Sequence, residues 1–85
     1  MNTRIKSKLQ DLAAHLGPEN RKMYIIALEL GERKRSALRE FFRNIESEVA
    51  QFPRFDSVLS LLQEEGNREE LRMILQEHES SRETD

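Results

Sequence analysis

The sequence predicts an all-α protein, a small bundle of four to five helices with short connections. Three observations lead there. Apolar residues recur at helical spacing along almost the whole chain and nowhere alternate as a strand would. The punctuation is sparse, with three glycines and two prolines in 85 residues. The connections this leaves are only a few residues long, so consecutive helices must pack on one another.

The first helix is expected from Thr3 to Leu16, with Ile5, Leu9, Leu12, Ala13 and Leu16 on one stripe. Gly17-Pro18 ends it: glycine suits the left-handed residue after a helix, and proline suits the first turn of the next. A second helix runs from Glu19 to Leu30 and is stopped or bent at Gly31. The third is the clearest, because Leu38, Phe41, Phe42, Ile45, Val49 and Phe52 hold one face over fourteen residues. It must end at Phe52, since a residue before proline is driven out of helical geometry. Asp56 or Ser57 caps a fourth helix carrying Val58, Leu59, Leu61 and Leu62, which Gly66 ends. Asn67 caps the fifth, with Glu70 three residues on completing a capping box, and Leu71, Ile74, Leu75 and His78 facing inward. Residues 1–79 thus make one helical domain, and 80–85 a flexible polar tail.

Charge is divided at the middle of the chain. Residues 1–43 hold ten Lys/Arg against five Asp/Glu, while residues 44–85 hold four against eleven. Such asymmetry speaks of partners rather than of fold. The basic half concentrates on Arg35, Arg39 and Arg43, which stand at i, i+4 and i+8 as a ridge beside the apolar face of the third helix. Guanidinium groups make two-point contacts with carboxylates or phosphates, so the ridge suits an acidic partner. The acidic complement is present in the chain at Glu64, Glu65, Glu69, Glu70, Glu77 and Glu79, and local pairing of Glu32 with Arg35 and of Glu46 with Arg43 is the plainer alternative.

The second helix is apolar on two fronts. At 100° per residue Met23, Ile26 and Leu30 fall together, while Tyr24 and Leu28 point the other way with Ile25 between. Either this helix is wrapped by the others, or one front meets the core and the other meets a partner. The partner front is assigned to Tyr24, Ile25 and Leu28, most simply for a second copy in a homodimer.

The expected function is therefore that of a non-enzymatic interaction protein, a regulator, adaptor or chaperone-like module that binds a protein partner and self-associates. The alternative is a nucleic-acid-binding regulator. Ala27, four residues before Gly31, and the basic helix after it resemble the spacing of a helix-turn-helix, with Arg33, Lys34, Arg35 and Arg39 as the contacting residues. Glu32 stands where that motif has a buried apolar residue, and an overall acidic chain lacks the basic footprint of a DNA binder.

Catalytic and metal chemistry find little material. There is no cysteine, no glycine-rich phosphate loop and no Glu-x-x-His pair, and His15 and His78 sit beside or on apolar stripes as packed residues. No cofactor and no metal are expected. The longest apolar run, Met23 to Leu28, is far too short for a membrane span, and with no apolar segment after Met1–Lys6 a secretory signal is not expected. A cytoplasmic setting is expected.

Overall fold

The computed structural model describes the backbone of residues 3–83 and side chains as far as Ser80. Its five helices are α1 (Thr3–His15), α2 (Pro18–Gly31), α3 (Arg35–Ala50), α4 (Asp56–Leu61) and α5 (Glu65–Glu83), with a 3₁₀ turn at Pro53–Phe55. There is no strand among the described residues.

The first, third and fifth helices deliver most of the stripe their spacing implies, with His78 half-buried, while Leu59 and Leu61 of the fourth are also only half-buried. Leu9, Leu12, Ala13 and Leu16 come from the first helix and its end, Phe41, Ile45 and Val49 from α3, and Leu71, Ile74 and Leu75 from α5. Phe55, Val58 and Leu62 close one end. Burying a side chain of this size contributes roughly 1.5–3 kcal/mol, so these positions carry the fold. The long α5 is the common wall, lying against both α1 and α2, while α2 and α3 form a hairpin.

The helix ends depart from expectation in a consistent way. Gly17 is not left-handed; it holds φ −71° and ψ 162° as the N-cap of α2. Its glycine character is not needed, because Arg21 ends α1 instead, its Nη1 donating to the carbonyls of Ala13 (3.3 Å) and Leu16. Likewise Gly66 does not end the fourth helix, and Asn67 does not cap the fifth. α4 stops at Leu61 and α5 starts at Glu65, with both residues inside its first turn. Asn67 is buried, and its Nδ2 donates back to the Leu61 carbonyl at 2.8 Å and to Glu64 Oε2 at 3.3 Å. Arg68 Nη1 takes the Leu62 and Gln63 carbonyls at 2.8 and 2.9 Å. Orphan carbonyls at two helix ends are thus satisfied by side chains of the following helix, so no left-handed glycine is required.

Phe52 is extended at φ −135° and ψ 82°, as a residue before proline should be. The turn after it was not anticipated, and neither Asp56 nor Ser57 caps α4; Phe55 takes the N-cap position without a side-chain bond. Ser57 Oγ instead accepts from Lys8 Nζ at 3.1 Å. The expected tail is helical through Glu83, because no Gly or Pro follows Gly66 to stop it. Thr84 and Asp85 lie outside the described residues.

Candidate interaction surfaces

α2 does have two apolar fronts, but their roles are exchanged. Tyr24 and Leu28 belong to the core and Ile25 is half-buried against it, so these three do not form a free partner-binding face. The exposed front is Met23, Ile26 and Leu30, which are 42, 57 and 46% exposed. The exchange follows from the neighbours. α3 packs against the end of α2 at Gly31, where Leu38 comes within ordinary contact distance, a Cβ there lying 3.4 Å from its Cβ and Cδ1. On the same inward side Tyr24 stands edge-on to Phe41 at 5.5 Å and 85°. α5 fills the other flank, where Gln76 Nε2 donates to Glu29 Oε1 at 2.9 Å. Met23, Ile26 and Leu30 are left pointing outward, and with Ala27 they line an open groove of about 190 Å³ whose far wall is Ala37, Glu40 and Asn44 of α3.

Burial, reinforced by the nearby Glu48 carboxylate, pushes the Tyr24 hydroxyl up to about 12 from its ordinary 10.0. The neutral phenol is thus the form the fold prefers. Its contribution to stability is complete below pH 10 and is lost as pH rises through about 12. Tyr24 is the only tyrosine and there is no tryptophan, so tyrosinate absorbance reads this residue alone. The titration midpoint is expected near 12 in the native protein and near 10 in denaturant, and a native midpoint at 10 would contradict the burial of the ring.

The arginine ridge is on the surface. Arg35, Arg39 and Arg43 are all exposed, and among the described residues none forms an ion pair within 4 Å. Local pairing with Glu32 or Glu46 does not occur. Nor do Glu64 and the acidic residues of α5 form ion pairs with the ridge, and several are engaged elsewhere. Glu79 faces Arg21 at 3.6 Å, Glu69 pairs with Arg72, and Glu64 accepts from Asn67. The neighbouring Glu65 carboxyl and the surrounding negative charge hold the Glu32 carboxyl above the usual carboxylate range. The Arg72 guanidinium holds the Glu69 carboxyl below that range.

Arg33 and Lys34, the other members of the nucleic-acid alternative, are exposed in the turn between α2 and α3. Glu32, Glu65 and Glu69 lie next to this turn and oppose the approach of a phosphate backbone.

Sequence reasoning missed Arg21. Its side chain is only 9% exposed, and beyond the two α1 carbonyls its Nε lies 3.6 Å from Glu79 Oε1. The available signal was a cation in the first turns of a helix, where the dipole disfavours it. His15 packs edge-on to Phe52 at 4.0 Å. Among the described residues no three His, Asp or Glu side chains gather as a metal site would need, and no helix is long and apolar enough to cross a membrane. Comparison with known proteins returns no match: no family model, no curated protein and no solved structure matches this chain.

Proposed function

We propose that this chain is a non-enzymatic interaction protein that meets a protein partner through the outer face of α2. The observation that carries the reading is the triplet Met23, Ile26 and Leu30, three large apolar side chains about half exposed at i, i+3 and i+7 beside an open groove. Such a stripe on an otherwise charged surface is the mark of a docking site for a helix. The buried side chains of Arg21 and Asn67 close helix ends, and the ion pair of Arg21 with Glu79 joins α2 to α5, so these polar groups serve the fold and leave the outer face of α2 to carry the binding role. The unpaired arginine ridge offers a second surface, suited to carboxylates. A regulator, adaptor or chaperone-like role in the cytoplasm completes the proposal, supported by the cysteine-free composition.

A photo-reactive residue placed at Ile26 in the native host tests it. A discrete protein adduct is expected from position 26 and not from the exposed Gln10 on α1. No adduct specific to position 26 would refute the reading.

Nucleic-acid binding is the second reading, favoured by the free guanidinium groups of Arg35 and Arg39. The acidic flank of the turn weighs against it. Duplex DNA or RNA at low salt is expected to show no gel shift with high-micromolar protein, and a salt-sensitive shift would overturn that expectation. Arg39→Glu is expected to change stability by no more than about 0.5 kcal/mol, as for surface sites without a partner. A larger loss in thermal melts would mean that the ridge is structural.

A further inference from the structure

We propose that the occupant of the α2 face is a second copy of this chain, packed antiparallel about a two-fold axis beside Ile26. This rests on the reading of that face as an interaction surface and identifies its partner.

Charge complementarity along α2 points to this arrangement. A two-fold interface sets one patch against itself, so its residues must complement their own reversal. The exposed stripe does so: Met23 and Leu30 lie nearly equidistant from Ile26 and Ala27, so Met23 of one copy meets Leu30 of the other. At the ends, Glu19 is exposed in the first turn of α2, and Arg33 and Lys34 are exposed just past its last. With the axis between residues 26 and 27, each Glu19 comes opposite Lys34 of the other copy, with Arg33 adjacent. Along one edge of the stripe stand Lys22 and Glu29, seven residues apart and both exposed. A two-fold perpendicular to the helices keeps that edge on the same side, so Lys22 of each copy faces Glu29 of the other. Glu29 is already steadied by its bond from Gln76.

Parallel packing reverses these relations. Glu19 would meet Glu19, and Lys34 would meet Lys34. Lys22 would leave Glu29 and face the Ala27 edge, where Glu40 of α3 is the acidic residue of the groove wall.

The absence of cysteine makes the geometry testable with single thiols. At a rise of about 1.5 Å per residue, the two Met23 positions lie roughly 10 Å apart along the paired helices, as do the two Leu30 positions. That exceeds the ~7 Å limit between Cα atoms of a disulfide, whereas the two Ile26 positions fall within it. Under mild oxidation Ile26→Cys is expected to give a linked dimer. Met23→Cys or Leu30→Cys alone should not, while an equimolar mixture of those two should give the mixed dimer. Lys22→Glu is expected to weaken association of the cysteine-free protein by about tenfold, and Lys22→Glu with Glu29→Lys to restore it.

Self-linkage at all three positions would mean parallel packing and overturn the proposal. No linkage at any position would overturn it too. If the Ile26 photo-adduct then forms with a different protein, the face still binds a partner and only the self-association is wrong. If no adduct forms either, the reading of the face falls with it.

Discussion

Arg21→Ala is expected to remove about 3–5 kcal/mol of stability, the range found when one partner of a buried ion pair is deleted. The guanidinium serves three elements at once. It closes the end of α1 through the carbonyls of Ala13 and Leu16, it belongs to α2, and it faces Glu79 of α5 at 3.6 Å. Both side chains are largely shielded, at 9 and 13% exposure, so alanine would leave two carbonyls without their donor and the Glu79 carboxylate without its counter-charge. A domain of this size has only about 5–15 kcal/mol in total, so the variant should lose a large share of it and melt lower by roughly 10–40 °C. Arg21→Lys keeps the charge but cannot reach carbonyls and carboxylate together, and should recover only part of the loss. Adding Glu79→Gln to Arg21→Ala should also recover part, since it removes the stranded charge. Urea denaturation decides the matter; a loss under about 1 kcal/mol would show that the contact is peripheral.

Leu28→Ala and Ile26→Ala, two residues apart on one helix, should differ sharply. Leu28 is 4% exposed in the core, and truncation there costs about 2–5 kcal/mol through lost burial and the cavity left behind. Ile26 is 57% exposed, and its truncation should change the stability of the monomer by no more than about 0.5 kcal/mol, alanine being the better helix former. The melts should be made on dilute protein, where association adds nothing to apparent stability. Equal losses at the two positions would mean that α2 is enclosed on both fronts.

This contrast also marks what the sequence could and could not convey. A helical wheel places Met23, Ile26 and Leu30 opposite Tyr24 and Leu28, and that separation is real. It does not say which front faces inward, because both carry comparable apolar bulk. The choice is made by tertiary contacts: Phe41 against Tyr24, Leu38 against Gly31, and α5 along Glu29. α3 was legible because all its large apolar residues fall on one face and proline marks its end. The helix junctions were not, since Arg21, Asn67 and Arg68 reach back five to eight residues to carbonyls that sequence spacing leaves unassigned. Ser80–Glu83 read as a tail because they are polar, yet polarity does not end a helix in the absence of a breaker. The ridge of Arg35, Arg39 and Arg43 was recognisable as a surface feature, but it forms no ion pair among the described residues, and several of its expected intrachain partners are engaged at other contacts.

The most direct test of the outer face of α2 as an association surface is sedimentation of the native chain beside Ile26→Glu. The native chain should pass, with rising micromolar concentration, from the 10.0 kDa monomer to twice that mass. Ile26→Glu should remain monomeric with the same helical circular dichroism. A native chain that stays at 10.0 kDa into the high micromolar range would contradict the account.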